Sequence, residues 1–165
     1  MAAMKFQCLK QTPWLPDNLA QSRNVMVMRT FLVEDNHVTL EHLVSTLEEL
    51  APVEAIGMAD SEAEGAAWLT SNAERWDLVI VDLFLKQGSG LGILAACRLR
   101  DERQKVVVFS NYPTSEVRLR CAQLGVDAVF DKSTEIDALV HYCAAQSDKL
   151  QAQVAVMQSM ESRSE

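Results

Sequence analysis

Four short apolar runs in this chain each deliver a polar residue where a buried strand would end. Thr30-Phe31-Leu32-Val33 runs into Glu34-Asp35, Leu78-Val79-Ile80-Val81 into Asp82, Val106-Val107-Val108-Phe109 into Ser110, and Ala128-Val129-Phe130 through Asp131 into Lys132. Runs that are apolar throughout, rather than at alternate residues, fit strands covered on both faces. Strands near 29-34, 53-58, 77-82, 105-110 and 127-131 alternate with helical patterns near 37-50, 61-73, 89-101, 114-124 and 134-158. Such βα alternation predicts a parallel sheet with helices on both faces.

Local signals support these boundaries. Ser61 and Glu64 have capping-box spacing, Pro113 stands just ahead of Thr114, and Gly125 follows Leu124 as a C-terminal cap. Val38, Leu40, Leu43, Leu47 and Leu50 give the first helix one apolar face. Residues 1-28 have no sustained period and read as an irregular arm; Met28 is an alternative start that would leave the preceding residues outside the native chain. The last helix, from Thr134 to about Met160, would measure ~40 Å. Ile136, Cys143, Leu150 and Met157 recur in it every seven positions, with Val140, Ser147 and Val154 between them. That repeat predicts either a helix seam for a homodimer or partner, or a first half packed on the sheet and a frayed end.

The chain's 165 residues, 48% of them hydrophobic, suit one domain with some extra length. A net charge of −8 argues against nucleic acid or an anionic membrane as the main partner. Cys8, Cys97, Cys121 and Cys143 show no metal-ligand or redox spacing and read as small core residues. No apolar run approaches the ~20 residues that span a bilayer, and no signal-peptide core follows Lys5, so a cytoplasmic location is expected.

Ligands of open parallel α/β sheets bind beyond the carboxyl ends of the strands, where Glu34, Asp35, Asp82, Ser110 and Lys132 fall. Three carboxylates gathered there repel unless a divalent cation joins them, and hard oxygen donors suit Mg²⁺ or Mn²⁺. Lys132 offers a point charge and Ser110 a donor for phosphoryl oxygens, while a carboxylate attacking phosphorus forms an acyl phosphate. Taken singly, each residue has an ordinary reading as a cap, a turn residue or solvated surface. Their joint placement is the signal. His37, His42 and His141 have no ligand spacing.

These residues resemble the receiver domain of bacterial two-component response regulators, whose single-domain type is CheY. The resemblance covers about residues 29-145. It rests on the acidic pair in Phe31-Leu32-Val33-Glu34-Asp35-Asn36, on Asp82 in Val81-Asp82-Leu83-Phe84-Leu85 with Gly90 eight residues on, on Ser110 in Val108-Phe109-Ser110-Asn111, and on Lys132 in Asp131-Lys132-Ser133. It implies a flavodoxin-like, doubly wound, five-stranded parallel α/β sheet of order 2-1-3-4-5 with five helices, the last extended. Residues 1-28 would then be an arm, 29-145 the receiver domain, and 146-165 a helical extension and tail.

The resemblance also implies that Asp82 accepts a phosphoryl group from a sensor histidine kinase or phosphotransfer protein. Asp35, Asp82 and the Phe84 backbone carbonyl would ligate Mg²⁺, Glu34 would act mainly through water, Ser110 would turn toward the phosphoryl group, and Lys132 would pair with it. A downstream protein target would bind residues 114-145. Because one continuous helix ends the pattern, the expected output is a protein contact rather than DNA, from a stand-alone, non-enzymatic switch with at most autodephosphorylation. A phosphate-independent structural or dimerisation module is the alternative; an aspartyl-phosphate phosphatase is disfavoured because Phe84 stands where a second Asp would be needed. Two departures bear on signalling: Val129 occupies the place of a frequent aromatic residue, with Phe130 directed to the other side of the strand, and Ser133 that of a cis proline, which predicts a trans bond.

Overall fold

The computed structural model describes residues 25–162. Five strands form there: β1 (Met28–Val33), β2 (Val53–Ala59), β3 (Leu78–Val81), β4 (Lys105–Ser110) and β5 (Ala128–Asp131). All neighbours pair in parallel, in the order β2-β1-β3-β4-β5. The connecting helices are α1 (His37–Leu50), α2 (Glu62–Ser71), α3 (Gly90–Ala96), α4 (Ser115–Gln123) and α5 (Ile136–Glu161). This is the expected doubly wound, flavodoxin-like sheet with a long last helix. Of the irregular arm expected over 1-28, residues 1-24 lie outside the described residues, and Met28 belongs to β1, where it pairs with Val53.

Successive strand side chains point to opposite faces, which divides the core in two. Phe31, Val33, Val79, Val81 and Val108 meet Leu69 of α2, Ile93 of α3 and Cys121 of α4 on one face. Leu32, Ile80 and Phe109 meet Leu43 and Leu47 of α1 and Leu139 and Cys143 of α5 on the other. β3 is buried at every position, and each such aliphatic side chain contributes roughly 1.5–3 kcal/mol on leaving water. The face expected of α1 is narrower than the sequence implies, because Val38 and Leu50 are exposed.

The caps follow the sequence signals. Ser61 accepts from the Glu64 amide at 3.4 Å, and Glu64 accepts in return from the Asp60 amide at 3.2 Å. Gly125, at φ 78°, closes α4 with its amide on Ala122 and that of Val126 on Cys121, the paired bonds of a Schellman cap.

α3 departs from expectation: it ends at Ala96 instead of running to 101. Tertiary acceptors capture Arg100, whose guanidinium donates to the carbonyls of Cys97 (3.1 Å), Gln104 (3.0 Å) and Gly125 (2.6 Å) and to Asp127 (2.9 Å). Asp127 also accepts from the Val106 amide at 2.7 Å, so this cluster fixes the starts of β4 and β5. Arg100→Ala is therefore expected to lower unfolding free energy by about 2–3 kcal/mol, read from urea melts, by orphaning several polar groups at once. A loss below about 0.5 kcal/mol, the scale of an ordinary surface substitution, would contradict that role.

The seven-residue repeat of α5 serves the chain's own core. Val140, Cys143, Ser147 and Leu150 are buried, and the Ser147 hydroxyl donates to the Met26 carbonyl. Of the repeat positions beyond Leu150, Val154 is half-buried and Met157 is exposed, so the expected helix seam shrinks to the last turns.

Cys97, Cys121 and Cys143 are free and buried, as core residues should be. Burial pushes the Cys97 thiol up to about 11 and the Cys143 thiol up to about 12, and raises Cys121 as well. The reactive thiolate is thus scarce below those values. In a Cys8→Ser variant at pH 8, a disulfide reagent should find no fast thiol until the protein unfolds; rapid reaction in the native state would show a breached core.

Candidate functional site

The last residues of the strands are held by their neighbours' backbones. The Glu34 amide donates to Ala59 O (3.0 Å), the Asp82 amide to Val33 O (2.9 Å), and the Lys132 amide to Ser110 O (3.1 Å). Ser110 itself ends β4. The sheet ladder thus delivers four side chains to one point with little freedom in their main chains.

Glu34, Asp35 and Asp82 each place a carboxylate oxygen within 4.8 Å of the others. Glu34 and Asp82 are buried, at 4% and 6% exposure. Both Asp82 oxygens are engaged. Oδ1 accepts from the Ser110 hydroxyl at 2.6 Å and from the Phe84 amide at 3.1 Å, and Oδ2 accepts from the Lys132 ammonium at 2.6 Å. Lys132 also donates to Glu34 Oε2. Burial works against the charge on Lys132, but its hydrogen bonds to Asp82 and Glu34, together with their Coulombic attraction, prevail and raise its pKa. Asp35, less buried, accepts from the Lys86 amide at 2.7 Å.

One ammonium among three carboxylates leaves an excess of negative charge in a partly desolvated pocket. A donor set made of carboxylate oxygens fits a small hard cation. Phe84 reaches the site through its amide, while its ring is exposed. The residues expected from the sequence therefore converge, and the bland alternatives hold beside them: Asn36 still caps α1 by accepting from Thr39 at 3.1 Å.

Gly90 fixes the loop after Asp82. A Cβ there would lie 2.2 Å from the Asp82 carbonyl oxygen and 2.7 Å from the Leu83 Cα. The sequence reading passed over two further groups. Glu62 accepts from the Ser89 amide at 2.6 Å, and Arg118 donates to Pro113 O, Val129 O and Glu135. Three glycines at 88, 90 and 92 were the available sign of the first; nothing in the local pattern marked the second.

The two departures also have visible consequences. Val129 packs with the α4 side of the core, and Phe130, on the opposite face, meets Tyr142 of α5 edge to face at 5.7 Å between ring centroids. No described peptide bond is cis. Ser133 instead donates through both its amide (2.8 Å) and its hydroxyl to Asp131, which lowers the Asp131 pKa.

Comparison with known proteins agrees with this fold. The model of the response regulator receiver domain matches residues 30–144. The photosynthetic apparatus regulatory protein RegA of Cereibacter sphaeroides is 25% identical over 119 residues, which cover 72% of this chain and 62% of that protein. A CheY-like receiver domain protein from Methanospirillum hungatei superposes with a TM-score of 0.63 at 25% identity, covering 77% of this chain and 98% of the other. A DNA-binding response regulator of the LuxR family from Staphylococcus aureus shares the fold at a TM-score of 0.65 and 18% identity, over 73% of this chain and 99% of that one. With a family match over most of its length and an acidic pocket at the strand ends, the chain belongs to the response regulator receiver domain family, the signalling modules of two-component systems.

Proposed function

We propose that the protein is a phosphorylation switch in which Asp82 takes a phosphoryl group from a histidine kinase or a phosphotransfer protein. The observation that carries this reading is the double hold on the Asp82 carboxylate, with Ser110 on one oxygen and Lys132 on the other. Oδ2 bears one hydrogen bond against two on Oδ1, and it is the attacking oxygen. A new O–P bond forms as the P–N bond of the donor phosphohistidine breaks, and the imidazole leaves with the electron pair. Lys132 follows the charge onto a phosphoryl oxygen, and Ser110 turns its hydroxyl toward another. Glu34, Asp35 and Asp82 would hold Mg²⁺ with the Phe84 carbonyl, which supplies charge neutralisation at the phosphoryl group. The protein turns over no external substrate, since Phe84 leaves no second acid two residues after Asp82.

Residues 29-145 form the receiver unit of this switch, and its output is the face of α4, β5 and α5. Support comes from Arg118, which joins the β4–α4 loop at Pro113 (3.2 Å), β5 at Val129 (2.7 Å) and Glu135 ahead of α5 (3.0 Å). Tyr112 in that loop sits at φ 50°, a strained position for a bulky residue. A shift of Ser110 pulls this loop, and Arg118 passes the movement on without an aromatic swing. The face meets a protein target in the cytoplasm; no helix among the described residues is long and apolar enough to cross a membrane.

A phosphate-independent module is the reading that Val129 and Ser133 favour. Beryllofluoride with Mg²⁺ separates the two: the switch predicts amide-resonance shifts at Ser110, Lys132 and across residues 114-145, all absent in Asp82→Asn. Spectra unchanged in the wild type would refute it.

A further inference from the structure

We propose that Glu62 is a positioning residue for the phosphoacceptor, acting through the β3–α3 loop; this rests on the reading of Asp82 as the acceptor. Glu62 opens α2 and meets the 87–89 end of that loop. Its Oε2 accepts from the Ser89 amide at 2.6 Å, and its own amide donates to Gln87 O at 3.1 Å. The fit is close on two sides. A Cβ at Gly88 would lie 2.4 Å from the Glu62 Cβ, and one at Gly92 would lie 1.9 Å from Glu62 Oε1. The glycines thus admit the carboxylate between the loop and the first turn of α3, where the Ser89 hydroxyl caps the helix by accepting from Leu91 at 3.2 Å.

The near end of the same loop grips the site. The Phe84 amide holds Asp82 Oδ1 at 3.1 Å, and the Lys86 amide holds Asp35 Oδ2 at 2.7 Å. The loop is therefore anchored at one end by two site carboxylates and at the other by the Glu62 side chain, beside the Gly90 amide on Leu83 O. Releasing the Glu62 side chain loosens the 87–89 backbone that leads back to Phe84 and Lys86, and with it the hold on Asp82 and Asp35. A carboxylate in the first turn of a helix also favours the helix dipole, but that role affects stability and leaves the acceptor's geometry alone.

The test uses the full chain, with Mg²⁺ and acetyl phosphate as the probe, and follows the initial rate of Asp82 phosphorylation at saturating Mg²⁺. Glu62→Ala should lower that rate about tenfold, as a misplaced reacting group does. Glu62→Gln keeps an oxygen to accept from Ser89 and should stay within about twofold, because the bond and not the charge is what matters. Gly92→Ala should resemble Glu62→Ala by driving the carboxylate off Ser89, and the double variant Glu62→Ala/Gly92→Ala should be no slower than Glu62→Ala alone, the non-additivity of two groups in contact. A wild-type rate in Glu62→Ala, a loss in Glu62→Gln as large as in Glu62→Ala, or additive losses in the double variant would overturn the proposal. If Glu62→Ala does not fold, Glu62→Gln against Gly92→Ala carries the same comparison. Hydrogen exchange at the Ser89 amide reads the anchor without any phosphorylation: faster exchange in Glu62→Ala is expected, and unchanged protection would overturn it. A wild type that takes no phosphoryl group while Ser89 loses protection in Glu62→Ala would instead overturn the proposed function.

Discussion

Gly90→Ala is expected to cripple the site and loosen the fold together. The added methyl would meet the Asp82 carbonyl oxygen at 2.2 Å and the Leu83 Cα at 2.7 Å. Both are backbone atoms, so no rotamer change relieves the clash, and the loop must move by more than about 1 Å, since unbonded carbon and oxygen atoms need over 3 Å. Gly90 is buried, and its amide donates to Leu83 O at 3.1 Å, a bond the movement breaks. Overpacking of this kind costs about 1–3 kcal/mol in urea melts. The displaced Asp82 should accept phosphoryl groups about a hundredfold more slowly, the scale set by an ångström of misalignment. Gly125→Ala is the control. Gly125 has nothing within 4 Å of its missing Cβ, so its φ of 78° alone is strained, for a loss of about 1 kcal/mol and no change in phosphorylation rate. Equal phosphorylation rates in Gly90→Ala and wild type would show that Asp82 does not depend on this contact.

Lys132→Ala removes the cation that both buried carboxylates share. The Lys132 side chain is 10% exposed, and those of Glu34 and Asp82 5% and 7%. Breaking a buried pair from one side destabilises by about 3–5 kcal/mol because the remaining charges are unpaired in a poor solvent. The raised pKa of Lys132 sets the pH window. Its stabilisation is fully present below the ordinary lysine value and is lost only as pH rises through the higher folded value, so the deficit of Lys132→Ala should be constant across neutral pH. Mg²⁺ restores positive charge to the same cluster, and thermal unfolding with Mg²⁺ should therefore recover more stability in Lys132→Ala than in the wild type. Phosphoryl acceptance should fall by about 10²–10³, the usual loss when one donor to a developing oxyanion is removed. Identical melts of the two proteins in chelator would contradict the account of the pocket.

The strand ends were legible in the sequence because fully apolar runs stop abruptly on a polar residue, and ligands of an open parallel sheet lie beyond the carboxyl ends of its strands, where Glu34, Asp82, Ser110 and Lys132 fall. The end of α3 was not legible, since residues 97-101 have helical propensity and the competing partners of Arg100, Gly125 and Asp127, lie over twenty positions away. The α5 repeat was ambiguous for a related reason. A seven-residue spacing marks an apolar stripe but not what covers it, and here the covering includes Met26, outside any regular element. Glu62 was hidden because its purpose appears only when Gly88 and Gly92 are seen against it.

The central claim, that Asp82 is the phosphoacceptor, is tested most directly by intact-mass measurement after incubation with acetyl phosphate and Mg²⁺. The account predicts one phosphoryl group on the wild type, lost in chelator, labile to hydroxylamine and absent from Asp82→Asn. A wild type that stays unmodified, or an Asp82→Asn variant modified equally, would contradict it.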